Sequence, residues 1–440
     1  MNIWKDPQYH SLKVLLIIVA VFGIGAFSLS AMRGFDLSGR VYENKLTDAE
    51  KLLDSQTTTG PSQVFLLGGL DGENQMNDVW RSSQNNLVNW LNISPNNPET
   101  TSKWAERSNH TAVYWQNKIW LIGGGGSFPE YDLSKIWHSP DGVIWTSTPT
   151  TGFPIFGNQS GVRMVLFANK LWMFFVPTQN VGDFVNITGL FSSTDGFNWQ
   201  SVAISSESNQ CINRTDAEVI VFQNKMYVIG GTKAGGPIED NATDDGGSYD
   251  TGGVDTQGPA PAVCSSIDGE NWIVTAQNTD FQNSLTSKTL INHSPFVLGN
   301  KLYIFGGRML DENPGLDSNS VGHFISSTQN GMVWETFTNP PTIFHNQPLI
   351  RENTQVFILG TKAYILAGNE ASEIGVFDDS GNTYQDLIQY SGGSPLNPSS
   401  WVTIIPNNNV SPFGLHTDHV VVVKPGSGIP QAPNDGSLGE

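Results

Sequence analysis

The sequence predicts an all-β protein made of six repeated four-stranded sheets, and three observations carry that prediction. The first is a recurring turn. Lys135–Trp145 reads KIWHSPDGVIW, and its Ser-x-Asp-Gly-x-x-Trp pattern returns at Ser193, Asp195, Gly196 and Trp199 and at Ser266, Asp268, Gly269 and Trp272. A looser copy closes on Trp334 with Asn330-Gly331 in the turn, and degenerate copies close on Trp90 and Tyr384. Asp-Gly between two β-prone runs marks a tight hairpin, because Gly accepts the positive φ that the turn needs. The second observation is an Asn-Lys turn at 117–118, 169–170, 224–225 and 300–301, with Thr361-Lys362 in the last copy. The third is an apolar run after each such turn, often ending on Gly-Gly, as in KIWLIGG, KMYVIGG and KLYIFGG. Four short strands repeated at roughly 50 residues fit the blade of a β-propeller better than a helical or leucine-rich solenoid.

The chain then divides in order. Residues 1–13 are a short polar head, expected on the cytoplasmic side. Val14–Met32 is an uncharged apolar run long enough to span a bilayer, read as one N-terminal transmembrane helix acting as a signal-anchor. The small residues Ser28, Ser30 and Ala31 leave a cleaved signal peptide as the alternative. Residues 33–62 are a stalk, with a capping box at Thr47–Glu50 starting a short helix near 48–55. The propeller spans 63–424. Its fullest repeat, 107–147, holds the strands HTAVYW, KIWLIGG, KIWHS and VIWTS. The first repeat lacks an opening strand, and the last apolar run, His419–Val423, lacks partners. The C-terminal run therefore supplies the missing strand and closes the ring, which removes two exposed sheet edges. Trp401–Ile405 is unassigned and leaves a seventh blade open. Residues 425–440 are a Pro- and Gly-rich tail.

Composition narrows the partners. Only 14% of the 440 residues are charged, yet the net charge is −19. Nucleic acids and anionic lipid faces both need a positive field, so neither is expected as a partner of the propeller. The membrane contact is expected through the N-terminal helix alone. Two cysteines, Cys211 and Cys264, fall in the same repeat. In an exported chain such a pair suggests one disulfide.

Strand-Gly-Gly, a loop, a further strand and a late aromatic resemble the kelch and galactose-oxidase central-domain propellers over about residues 64–424. The Ser-x-Asp-Gly-x-x-Trp turn is similar to the Asp-box of sialidase-like propellers, with one residue fewer between Asp and Gly. The resemblance implies a fold rather than an activity, since this architecture carries many functions. The copper site of galactose oxidase, a Tyr–Cys crosslink with histidines, has no matching set here.

Several residues are candidates for a site. Asp141, Asp195 and Asp268, with Gly142, Gly196 and Gly269 and with Trp145, Trp199 and Trp272, serve the outer turns. Each carboxylate takes backbone N–H groups there and each Trp packs between blades. Ten residues before the turn of blades 2, 4 and 6 stand Arg107, Arg214 and Arg351. Their place ahead of the innermost strand predicts convergence near one channel mouth, where three guanidiniums would bind a carboxylate or sulfate. The reading preferred to this one is that each pairs with a neighbour such as Glu106 or Glu352 and braces its blade. Six residues before the turn stand Arg163 and Glu218 on adjacent blades, an expected ion pair lining the channel. His110 and His293 share the next position and read as packing residues. His416 and His419 lack a motif that would complete a metal site. The blade 4 insert, 232–260, carries Asp240, Asp244, Asp245, Asp250 and Asp255 among glycines and reads as a solvated loop, with calcium held by its oxygens as the alternative. No other cofactor is expected.

The chain therefore reads as a membrane-anchored extracytoplasmic β-propeller that binds a glycan or a protein. The alternative is an enzyme on acidic sugars, of sialidase or sugar-epimerase type, using the Arg-lined mouth.

Overall fold

The computed structural model describes residues 61–426 apart from 73, 98–102, 126–134, 149–150, 153–160, 176–188, 234–262, 277–287, 312–324, 338–350, 371–382, 396 and 407–415. The head, the apolar run Val14–Met32, the stalk, the aspartates of the blade 4 insert and the tail beyond 426 lie outside them. No helix among the described residues is long and apolar enough to cross a membrane.

The described strands form six blades, each an antiparallel sheet of four main strands, in sequence order except in blade 1, whose innermost strand comes from the C-terminal run. Blade 2 shows the plan: Ser108–Trp115, Lys118–Gly125, Ile136–Ser139 and Thr146–Thr148. Its first two strands meet at Gln116-Asn117, both with positive φ (47° and 59°), and blades 3 and 4 repeat that turn at Ala168-Asn169 and Gln223-Asn224. Two consecutive left-handed residues make the hairpin whose twist matches that of the strands.

Along the second strand, alternate side chains bury on opposite faces of the sheet. Ile119 and Leu121 pack with Phe65, Leu67 and Val422 of blade 1. Trp120 and Ile122 pack with Met164, Leu171 and Met173 of blade 3. Each of the six apolar clusters in the propeller likewise lies between two neighbouring blades, and none lies inside one sheet.

The ring closes as the lone apolar run requires. Val420–Lys424 pairs antiparallel with Gln63–Leu67 and so becomes the innermost strand of blade 1. Trp401–Ile405 is the fourth strand of blade 6, paired with Leu387–Tyr390, which makes the blade count six. This corrects the expected end of that blade. Tyr384 lies in the third strand, Thr383–Tyr390. The aromatic that closes the hairpin is Trp401, which packs against Phe305 of blade 5. The residues FDDSG ahead of Tyr384 lie outside the described residues.

A second correction concerns the outer hairpins of blades 2 to 5, where the fourth strand begins after the Trp rather than two residues after the Asp. Residues 140–145 form the turn. Ser139 Oγ accepts from the Gly142 N–H (2.8 Å), and Asp141 Oδ1 accepts from Val143 and Ile144 (2.8 and 2.9 Å). Trp145 Nε1 donates to Gly142 O at 3.0 Å. The backbone bonds recur around Asp195 and Asp268, and around Asn330 with Thr328 in place of Ser, while the indole bond recurs at Trp199 and Trp272. These backbone donors hold the exposed Asp195 and Asp268 carboxyls down at about 2, with the Asn198 N–H the largest cause for Asp195; for Asp268, they outweigh burial acting the other way.

Candidate functional site

Each innermost strand enters the ring through one left-handed residue. It is Asp418 in blade 1, Asn109 in blade 2, Asp216 in blade 4, Asn292 in blade 5 and Asn353 in blade 6, with φ between 49° and 56°. Asn and Asp tolerate this conformation better than other residues that carry a side chain. Blade 3 uses Gly161 at the same place (φ 93°). On the adjoining second strands, Gly68-Gly69, Gly123-Gly124, Gly230-Gly231, Gly306-Gly307 and Ala367-Gly368 also carry positive φ. These paired kinks interrupt the ladder: Thr215 faces Thr232 and Glu218 faces Ile229, while the residues between are unmatched. The kinks also join blades. The Gly69, Gly231 and Gly307 N–H groups donate to Arg107, Leu290 and Arg351 carbonyls of the next blade at 2.8–3.0 Å. At the entry, the Asn109 N–H donates to Asp418 O (3.2 Å) and the Asn353 N–H to Asn292 O (3.0 Å).

This ring of entry residues surrounds a cavity of about 220 Å³ on the channel axis. At roughly 30 Å³ per water it has room for about seven waters, or one compact ligand. The lining is layered. Asn109, Asp216, Asn292, Asn353 and Asp418 stand at the mouth, then His110, His293, Thr354 and His419, then Thr111, Arg163, Glu218, Ser294, Gln355 and Val420, with Ala112, Val219, Pro295, Val356 and Val421 beyond.

Among these, Arg163 and Glu218 form the ion pair expected from the sequence, at 2.9 Å, on strands of blades 3 and 4. Burial acts against both charges. Glu218 is raised by it despite the arginine, whereas Arg163 is raised overall because Glu218 outweighs the burial. Asp418 is different. Its carboxylate accepts no hydrogen bond from a described residue, and burial together with Glu352 pushes it up to about 6 against the pull of Arg163. His293 is 3% exposed, its two ring nitrogens have no hydrogen-bond partner among the described residues, and burial followed by Arg163 lowers it to about 3. Burial, then Arg107 and His419, likewise hold His110 well below its usual value. Both imidazoles are therefore neutral.

Arg107, Arg214 and Arg351 do not converge on this mouth. All three are buried and none lines the cavity. Each reaches back under the kink of its own blade. Arg107 Nη1 donates to Gly123 O (2.8 Å), Arg214 Nη1 to Gly230 O (2.9 Å) and Arg351 Nη1 to Ala367 O (3.4 Å). Arg351 also makes a two-pronged ion pair with Asp386, and its guanidinium lies 3.9 Å above the Tyr384 ring. Burial lowers the Arg214 guanidinium. The Arg107 and Arg214 guanidiniums reach carbonyls, and Arg351 reaches a carbonyl and Asp386, where a neighbour such as Glu106 or Glu352 had been expected.

Cys211 and Cys264 form a disulfide. It links the helix α1 (Ser206–Ile212), capped by Ser205, to the third strand of blade 4, and Arg214 Nη2 lies 3.1 Å from Cys264 Sγ. The insert leaves that blade after Lys233 and returns at Val263, on the edge where the inner strands enter. The calcium alternative at Asp240, Asp244 and Asp245 falls outside the described residues. Among the described residues no three His, Cys, Asp or Glu side chains are grouped to hold a metal.

Residues 49–187 match the family model of the DUF6242 beta propeller domain. Of the described strands this takes in those of blades 1 and 2, apart from the C-terminal strand, and the first two of blade 3. The chain is a β-propeller. No curated protein matches it. The entry ring of Asn and Asp was missed in the sequence, although it stands eight residues before each Asn-Lys turn at Asn109, Asp216 and Asn292.

Proposed function

We propose that the propeller is a binding module for a glycan or a protein, held on the extracytoplasmic side of a membrane by Val14–Met32. The observation that carries the binding reading is the axial cavity ringed by Asn109, Asp216, Asn292, Asn353 and Asp418. Ligand sites are concave and have a few convergent polar groups, and this cavity has both. The disulfide suits export, because such bonds persist in oxidising compartments. The acidic-sugar enzyme has less support. Its three arginines are bonded beneath the blade kinks, and the arginine at the mouth is paired with Glu218.

The test is a glycan and protein array probed with the propeller and with Gln355→Trp, which fills the channel from the middle layer. Wild type retains a ligand that the variant loses, at a similar melting temperature. Equal retention by both would place binding away from the channel and remove this reading.

A further inference from the structure

We propose that the channel mouth takes a hexosamine whose amine is free and therefore cationic, with Asp418 as the group that receives the ammonium. This rests on the mouth being the binding site and adds the class of ligand.

Three observations lead to it. The first is charge. Arg163, Asp216, Glu218 and Asp418 are the charged side chains lining the cavity, and Arg163 is spent on Glu218 at 2.9 Å. Asp216 and Asp418 make the lining negative overall, with Glu352 acting on Asp418 from blade 6. In a chain of net charge −19 the mouth therefore attracts a cation and repels an acidic sugar.

The second is an unmet demand. The Asp418 carboxylate has no hydrogen-bond donor among the described residues, and burial raises it to about 6. A buried carboxylate without donors costs stability unless something pairs with it, and an ammonium supplies charge and three donors at once. His293 lines the same cavity, and its two nitrogens are without partners among the described residues. A neutral imidazole keeps one donor and one acceptor, which suits a hydroxyl.

The third is shape. The entry ring and the two layers behind it are polar apart from Val420, with Asn109 and Asn353 at the mouth and Thr111, Ser294 and Gln355 in the deeper layer. A lysine side chain would lay its four methylenes against these groups, whereas its stem favours apolar walls. A sugar ring carries hydroxyls around its whole edge and matches amides that both donate and accept.

Calorimetry at pH 7 with glucosamine, N-acetylglucosamine, glucose and lysine tests this, with a chitosan oligomer separating a free sugar from a residue within a glycan. Glucosamine, or the oligomer, binds at least tenfold tighter than N-acetylglucosamine and glucose. Asp418→Asn lowers that affinity about tenfold while its melting temperature holds or rises, since Asn accepts the same left-handed backbone. Equal affinity for N-acetylglucosamine, no loss in Asp418→Asn, or no binding of either amine sugar overturns the proposal. Tighter binding of lysine overturns it in favour of a basic peptide. Binding of any probe that survives Gln355→Trp unchanged removes the channel-mouth reading as well.

Discussion

At the scale of single residues, the glycines of the outer turns carry two constraints at once. Gly196 has φ +80°, and a Cβ there would stand 2.4 Å from the Trp120 ring of blade 2. Gly142, Gly269 and Gly331 meet Phe65, Trp172 and Tyr227 of their preceding blades in the same way. Gly72 shares only the first constraint, with φ +61° and open space around it. Gly72→Ala should therefore cost about 1–2 kcal/mol, and Gly196→Ala about 3 kcal/mol or more, because strain and a clash with packed aromatic atoms act together. Urea unfolding of the two variants separates the terms, and equal losses would refute the clash. These glycines were legible because the turn demands them. The direction of Arg107, Arg214 and Arg351 was not. Counting back from a turn gives a residue's height along the strand but not the side to which its chain folds. The kink at Gly123, Gly230 or Ala367 offers a carbonyl that draws the guanidinium under the blade. Asp418 escaped for the opposite reason, since its role depends on donors that neighbouring strands do not supply.

Among the elements, blade 4 is the one that differs most from its neighbours. The helix α1 lies against its outer edge, where Ser208 Oγ accepts from the Trp272 N–H at 3.0 Å and Cys211 is joined to Cys264. Replacing both cysteines by serine should cost about 2–4 kcal/mol, mostly by freeing the unfolded chain. Hydrogen exchange should then rise first in α1 and Val263–Ser266. Exchange spread evenly over all blades would contradict a local role. Reductant should have no further effect on the double variant. The sequence made the disulfide plausible because both cysteines share a repeat, and Val263–Ser266 pairs with Lys225–Ile229 in the blade that α1 leads into. It misled at blade 6, where FDDSG imitates the turn pattern of the other blades. There the outer hairpin runs instead through Ser391–Ser400, with a 3-10 turn at Pro398–Ser400. No Asp-Gly marks it, so only its closing Trp401 kept the repeat's signature.

For the whole molecule, the number of sheets and their closure were readable from strand patterns alone, because every core is shared between two blades and an open ring would leave one uncovered. A chain ending at residue 415 should lose Val420–Lys424 and expose Val64, Leu66 and the edge of Gln63–Leu67. Size-exclusion chromatography should show it associating, and a monomer as stable as wild type would contradict the closure. The cavity was less readable than the ring, since it is assembled from residues of every blade and no local pattern records what six distant strands enclose. The same closure shapes how the protein is made. Synthesis proceeds from the N-terminus, so a growing chain carries Gln63–Asp71 without its inner partner while blades 2 to 6 accumulate behind it. Through translation of more than three hundred residues, that edge needs shelter from other nascent chains until residues 420–424 emerge.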